Sequence, residues 1–256
     1  MSLQISVITA VRNRADTIEE ALHSVQAQDW PRVEHIVIDG ASKDGTLAIL
    51  QGHRDRLAHL VSEADGGLYD ALNKGIARAS GDIVGFLHAD DQLASSSALS
   101  KVAAAFDDPA VDAVYGDLVY VRKDNPNEVV RYWRAGAYSR SMLALGWMPP
   151  HPTFYVRRSV YARFGLFDTS YRIASDYDSM LRILWRGSVT AAYVPEVLVR
   201  MRLGGISNRS WRAMLEKSRE DLSALRRHGV GGLPAVLLKN VSKIPQFMLR
   251  APAISR

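Results

Sequence analysis

Gly81-Asp82-Ile83-Val84-Gly85-Phe86-Leu87-His88-Ala89-Asp90-Asp91 is the stretch on which the reading of the fold turns. Its apolar middle reads as a buried strand, and two carboxylates stand at its end. Open α/β sheets bind their ligands at the carboxyl ends of their strands. Two anionic side chains side by side repel each other, and a cation shared with some other negative group relieves that repulsion. Hard oxygen donors suit Mg²⁺ or Mn²⁺, ions commonly shared with substrate phosphates. The competing reading is plainer: Asp90 and Asp91 open a turn or cap the following helix.

The residues before this stretch alternate between strand and helix. Ile5 to Val11 reads as a buried first strand. Thr17 and Glu20 fit a capping box, and Ile18, Ala21, Leu22 and Val25 recur at helical spacing. Val33 to Ile38 is a second strand ending at Asp39-Gly40, and Thr46 to Leu50 begins a second helix. Leu57 to Val61 is a short third strand. Leu68 to Ala79 is a third helix with Leu68, Ala71, Leu72 and Ile76 on one side. Such alternation implies an α/β fold, a mostly parallel sheet with helices on both faces. After Asp91 the pattern loosens. Leu99 to Phe106 suggests a helix, Val111 to Val121 a strand, and Val129 to Trp133 a strand paired back as a hairpin. Ser175 starts another helix, and Val189 to Val199 reads as a strand interrupted by Pro195. Ser210 to His228 is an amphipathic helix with Trp211, Met214, Leu215, Leu222 and Leu225 on its apolar side and Gly229 as its stop.

Composition narrows the class. A chain of 256 residues with 47% hydrophobic and 23% charged residues is of ordinary globular make-up and long enough for one large α/β domain with an extension. Cysteine is absent, which excludes disulfides and thiolate metal sites and fits a reducing compartment. The N-terminus runs straight into the first strand, so no signal peptide is expected. No apolar run reaches the roughly 18 residues of a membrane span. The formal charge is +5. From Leu222 onward there are Arg226, Arg227, Lys239, Lys243, Arg250 and Arg256 and no Asp or Glu, so the basic character belongs to the tail. Nucleic acid is not expected as a partner, because no recognised binding motif accompanies these residues. An anionic membrane surface is the expected one, with packing of the tail on the domain or on a second copy of the chain as the open alternative.

Four blocks taken together resemble family 2 glycosyltransferases. They are Ile5-Ser6-Val7-Ile8-Thr9, Asp39-Gly40-Ala41-Ser42-Lys43-Asp44-Gly45-Thr46, Asp65-Gly66-Gly67-Leu68-Tyr69-Asp70-Ala71-Leu72-Asn73-Lys74-Gly75 and His88-Ala89-Asp90-Asp91. The resemblance covers roughly residues 1 to 205 and implies a GT-A fold, Rossmann-like, using nucleotide-diphosphate sugars. It divides the chain into a transferase domain, 1–205, and a C-terminal amphipathic helix with a basic apolar tail, 206–256. Within the domain, 1–118 would bind the nucleotide sugar and 119–205 the acceptor.

The resemblance also assigns roles. Asp39 would accept the imide N–H of a uracil ring. Thr9, Val11 and Arg12 would line base and ribose, with Arg12 standing where many relatives carry an aromatic residue. Asp65 would contact the nucleoside, and Lys74 a phosphate. His88 occupies the first aspartate of the family's metal signature, which leaves Asp91 as metal ligand and Asp90 for the ribose or a bridging water. Ala174-Ser175-Asp176-Tyr177-Asp178 resembles the family's Glu-Asp-Tyr-Asp block, so Asp176 would be the general base; Asp178 is its rival, and Ser175 replaces the usual Glu. His151 would lie near donor and acceptor. Arg202 stands where a His is common and would pair with diphosphate oxygens. No Gln-x-x-Arg-Trp is present, so resemblance to processive synthases is poor.

The expected activity is inverting transfer of one sugar, UDP-linked by preference, to a hydroxyl of a glycan or lipid-linked acceptor in cell-surface polysaccharide or glycolipid synthesis. Mn²⁺ or Mg²⁺ would be the cofactor. The expected location is cytoplasmic, peripheral on the inner face of the membrane, with a homodimer as a further expectation. Two alternatives remain open at this point: a sugar-nucleotide nucleotidyltransferase, whose glycine-rich phosphate loop Arg12-Asn13-Arg14-Ala15 lacks, and a non-catalytic glycan- or nucleotide-binding module.

Overall fold

The computed structural model describes the chain except residues 1, 205–210, 248, 250 and 253–256. Its elements run β1 (Ile5–Val11), α1 (Ile18–Gln26), β2 (Val33–Asp39), α2 (Thr46–Gly52), β3 (His59–Ser62), α3 (Leu68–Arg78), β4 (Ile83–Phe86), β5 (Gln92–Leu93), α4 (Ala98–Ala105), β6 (Ala113–Val121) and β7 (Val129–Trp133). There follow α5 (Arg140–Ala144), β8 (Tyr155–Arg157), α6 (Arg158–Phe164), α7 (Ser175–Met180), β9 (Ala191–Arg202), α8 (Trp211–His228) and α9 (Leu233–Val241). Among the described residues these strands form one sheet in the order β3-β2-β1-β4-β8-β6-β9-β5, with β7 paired to β6. The β3-β2-β1-β4 ladders are parallel, as is β6-β9; β8 enters antiparallel between β4 and β6.

Strand alternation sorts β1 onto two cores. Ile5 and Val7 pack with Ala21, Val25 and Leu99 on one face, and Ile8 and Ala10 pack with Leu72 and Ile76 on the other. Ile5, Val7 and Ile8 are fully buried, each worth about 1.5–3 kcal/mol relative to exposure. Helix α3 lies close because Gly75 faces Ile8: a Cβ there would sit 2.3 Å from Ile8 Cγ2.

Several local expectations change on folding. The capping box at Thr17 does not form. Thr17 makes no side-chain cap, and its buried Oγ1 has no partner. Glu20 instead accepts hydrogen bonds from Gln92 and Arg202, across to the sheet. Leu68, expected on the inner face of α3, is exposed, and Tyr69 takes the buried place. Pro195 does not interrupt β9; the register with β6 shifts between Gly116 and Leu118, and the strand continues. On α8, Met214 and Leu215 face outward while Ala224 and Leu225 are fully buried; the side chain of Trp211 lies outside the described residues. Gly229 ends α8 as expected, with φ +64° and with the Val230 N–H reaching back to Leu225 O at 3.0 Å.

Candidate active site

The loops after β1 and β2 are tied to each other by side chains acting on backbone. Asn13, at φ +52°, donates its N–H to Ser42 Oγ (2.8 Å) and accepts from Lys43 N (2.9 Å). Arg14 N donates to Thr46 Oγ1 at 2.8 Å, and Asp44 Oδ1 accepts from Thr46 N at 3.0 Å. The Asp39-to-Thr46 loop is thus built from the short polar residues that turns use. Asp39 itself is fully buried at the end of β2 and accepts from Ser42 N, Ser42 Oγ and Ser62 Oγ.

Gly40 brings the next residues together. A Cβ on it would lie 2.3 Å from Asp65 Oδ2 and 3.4 Å from Arg12 Cδ. Arg12 and Asp65 therefore flank the backbone step that follows Asp39. Asp65 is held by the Gly67 N–H at 3.0 Å. Thr9 and Val11 take other places. Thr9 Oγ1 pairs with His35 at 3.0 Å inside the sheet, and the Val11 side chain is buried with Ile18, Leu22 and Val37. Backbone is what Val11 offers here: its carbonyl accepts the Gly40 N–H at 2.9 Å.

The aspartate pair splits into two environments. Asp90 is partly exposed, with Arg14 Nε 3.9 Å away. Asp91 is 1% exposed. Its Oδ1 accepts the Arg202 N–H at 3.2 Å, and its buried Oδ2 has no partner. Burial pushes the Asp91 carboxyl well above the usual carboxylate range; the charge of Asp90 adds to this, and the Arg202 N–H and guanidinium oppose it. A buried, unpaired carboxylate oxygen beside a second carboxylate is a hard-donor set that fits Mg²⁺ or Mn²⁺. The Arg202 side chain, itself buried, is paired with Glu20. Arg202 thus contributes a backbone donor to Asp91 and ties the end of β9 to α1.

Beyond the pair, His88 and His151 lie with ring centroids 6.0 Å apart, and His151 stacks on Phe86 at 5.4 Å. Burial holds His151 down to about 4, with nearby Asp176 opposing the shift. Burial also lowers His88, against the charges of Asp90 and Asp176. Both rings are therefore neutral at pH 7, and the buried His151 Nε2 has no partner. Asp176 lies in the first turn of α7. Its Oδ1 accepts from Tyr177 N at 2.8 Å and from the Tyr69 hydroxyl at 3.4 Å. Ser175 is not a cap: Ala174 holds that position, and the buried Ser175 Oγ is unpaired. Asp178, the rival base, is fully buried and bound to His228 at 2.9 Å.

The fold therefore gathers Arg12, Asp39, Asp65, Asp90, Asp91, His151, Asp176 and Arg202 along the carboxyl ends of the strands and the start of α7. Lys74 is engaged elsewhere: its ammonium meets Glu63 at 2.9 Å, Asp70 at 3.4 Å and the Ala64 carbonyl. Arg14, Glu20 and Tyr69 were not expected at the site, Glu20 only as a helix cap. A cation just after the first strand was the available signal for Arg14; Glu20 and Tyr69 had none. A groove of about 650 Å³ opens between β7 and the C-terminal segment, lined by Arg131, Arg200 and Phe247 among others, and holds none of the expected site residues except through the strand it shares with Arg202.

With fold and site in place, comparison with known proteins gives the class. The family model for glycosyl transferase family 2 matches residues 6–173. The chain is 35% identical over 187 residues to the uncharacterized glycosyltransferase Rv1514c of Mycobacterium tuberculosis, covering 70% of this chain and 68% of that one. It is 29% identical over 208 residues to the PGL/p-HBAD biosynthesis glycosyltransferase of Mycobacterium bovis, covering 79% and 78%. The mannosyltransferase PcManGT of Pyrobaculum calidifontis, solved with GDP-Man and Mn²⁺, superposes with a TM-score of 0.66 at 21% identity, over 95% of this chain and 70% of that one. The chain belongs to glycosyltransferase family 2 and has the GT-A fold expected of it. That membership sets aside the nucleotidyltransferase alternative.

Proposed function

We propose that the chain transfers one sugar from a nucleoside-diphosphate sugar, UDP-linked by preference, to a hydroxyl of a glycan or lipid-linked acceptor, with inversion at the anomeric carbon. The observation that carries this reading is the buried, unpaired Asp91 oxygen at the strand ends, together with Asp176, whose charge is felt by His88 and His151 in between. Residues 1–118 bind the donor, 119–205 shape the acceptor side, and 206–256 form the extension.

Arg12, Asp39 and Asp65 hold the nucleoside. Asp39 reaches uracil by exchanging one of its serine partners for the base. Asp91, with Asp90 beside it, would hold the divalent cation, which when bound neutralises charge on the departing diphosphate. Asp176 takes the acceptor proton. The acceptor oxygen then bonds to the anomeric carbon from the face opposite the diphosphate, the bond from that carbon to the phosphate oxygen breaks, and the nucleoside diphosphate leaves. PcManGT's GDP-Man and Mn²⁺ support a nucleotide-sugar donor and a divalent ion for this chain.

The acceptor's lipid linkage draws support from the C-terminal face. Leu233, Leu237, Leu238 and Val241 of α9 are all exposed, and Phe247 is 65% exposed. The segment from Leu222 onward is basic with no acid. Met248, Arg250 and Arg256 of the expected tail lie outside the described residues. Among those described, no helix is long and apolar enough to cross a membrane. We assign α9 to the surface of an anionic bilayer. Leu237→Glu with Leu238→Glu should abolish flotation with phosphatidylglycerol vesicles; unchanged flotation removes the membrane role.

The transfer reading is tested by incubating the protein with UDP-glucose, UDP-N-acetylglucosamine and GDP-mannose plus Mn²⁺ and measuring nucleoside-diphosphate release. Wild-type release that survives intact in both Asp91→Asn and Asp176→Asn refutes it.

A further inference from the structure

The family match ends at residue 173, just short of Asp176. What holds the chain across that point comes from α8. Glu220 Oε1 accepts the Arg172 N–H at 2.9 Å, and Oε2 accepts those of Ile173 and Ala174 at 2.8 Å each. Three consecutive amides on one carboxylate are charge-assisted bonds that fix three peptide planes at once. The last of these planes, between Ile173 and Ala174, matters most. Its carbonyl, Ile173 O, accepts the Tyr69 hydroxyl at 2.5 Å, and that hydroxyl lies 3.4 Å from Asp176 Oδ1. A continuous set of contacts therefore runs from Glu220 through the 172–174 backbone and Tyr69 to Asp176.

The residues after Asp176 are held from the same quarter. His228 binds Asp178, both buried, and the Lys239 ammonium stands 3.3 Å from the centre of the Tyr177 ring while bound to Asp221 at 2.8 Å. With 172–174 held before it and 177–178 held after it, the Asp176 carboxylate has little freedom of its own.

We infer that Glu220 is a positioning residue of the transfer site: by gripping the amides of residues 172–174 it sets the Asp176 carboxylate in line with the acceptor hydroxyl. This rests on Asp176 being the base. Glu220 meets none of the donor residues, so its loss should lower turnover and spare donor binding. Misplacing a reacting group by about 1 Å can cost on the order of 10²-fold. Glu216, one turn earlier on α8, is the matched control, because it faces the Arg172 guanidinium at 3.8 Å and none of these amides.

The test compares wild type, Glu220→Gln, Glu220→Asp, Glu216→Gln, Asp176→Asn and the double variant Asp176→Asn/Glu220→Gln. The probe is whichever of UDP-glucose, UDP-N-acetylglucosamine and GDP-mannose gives most nucleoside-diphosphate release with Mn²⁺. Expected for Glu220→Gln is a kcat lower by about tenfold or more with donor KM unchanged. Glu220→Asp, which keeps the charge, should recover part of the loss, and Glu216→Gln should match wild type. The double variant should be no slower than Asp176→Asn alone, because Glu220 acts only through that carboxylate. Wild-type kcat in Glu220→Gln beside an inactive Asp176→Asn overturns the positioning role and leaves the base intact. So does a Glu220→Gln loss that repeats in full in the Asp176→Asn background. Full turnover in Asp176→Asn removes the base and the positioning role together. If Glu220→Gln does not fold, Glu220→Asp decides: lowered kcat at unchanged KM supports the role, and wild-type kcat overturns it.

Discussion

The loops after β1 and β2 and the turn bearing Asp176 are held in opposite ways. Between the loops after β1 and β2, the ties join residues 29 to 32 positions apart, and the loops supply both partners themselves, backbone amides on one side and short polar side chains on the other. Around α7 the ties span 46 to 50 positions and reach in from α8, past β9 and the undescribed stretch at 205–210. A self-contained loop writes its chemistry into consecutive residues. A turn held from a distance leaves no such record in its own residues. The two regions should therefore fail differently when perturbed.

The largest effect should come from Asp176→Asn. Nucleoside-diphosphate release should fall by at least about 10²-fold while UDP affinity, measured by calorimetry, is kept. Loss of UDP affinity in that variant would mean that the two regions are not separable.

Gly40→Ala should produce the complementary failure. The added methyl would overlap Asp65 Oδ2, so Asp65 must move. Donor KM should rise about tenfold or more, with about 1–3 kcal/mol of stability lost in urea titration. An unchanged KM would sever Asp65 from donor binding.

A pH experiment reads both regions at once. Burial holds His35, in the donor half, and His151, beside Asp176, each to about 4, against 6.5 when unfolded. Between those values the unfolded chain takes up protons that the folded chain refuses. Acidification from about pH 7.5 towards 4 should thus lower stability, by about 1 kcal/mol per pH unit for each histidine below 6.5, with the histidine effect levelling off above about pH 7.5. His151→Gln should flatten that slope in urea melts; an unaltered slope would show that the ring is accessible to protons in the folded state.

The smallest effect belongs to Lys74→Ala. Its ammonium already serves Glu63 and Asp70 at the surface, so donor KM should change less than about twofold and stability hardly at all. A tenfold rise in KM would place Lys74 on the phosphate after all.

The same contrast explains what could be read from residues alone. Strands β1, β2 and β4 and helices α1 and α3 follow from apolar spacing, because each buries a face against its sequence neighbours. The segment from Gly136 to Ala174 gave no such pattern. Its strand β8 has three residues and exists because β4 and β6 flank it on either side. Thr17 and Glu20 read as a cap, yet a contact beyond the local window, from Arg202, claims Glu20. The resemblance favoured Asp176 over Asp178 as base; that Asp178 is taken by His228, fifty residues on, no local pattern showed. Glu220 carried no motif because its partners are backbone amides, which any residue supplies.

The central claim is that the unpaired Asp91 oxygen receives a divalent cation shared with the donor's diphosphate. Calorimetric titration of UDP into wild type and Asp91→Asn, each with and without Mn²⁺, tests it most directly. Mn²⁺ should tighten UDP binding to the wild type by about tenfold or more, worth about 1.4 kcal/mol, and leave Asp91→Asn at its metal-free affinity. Equal tightening in both proteins, or none in the wild type, would contradict it.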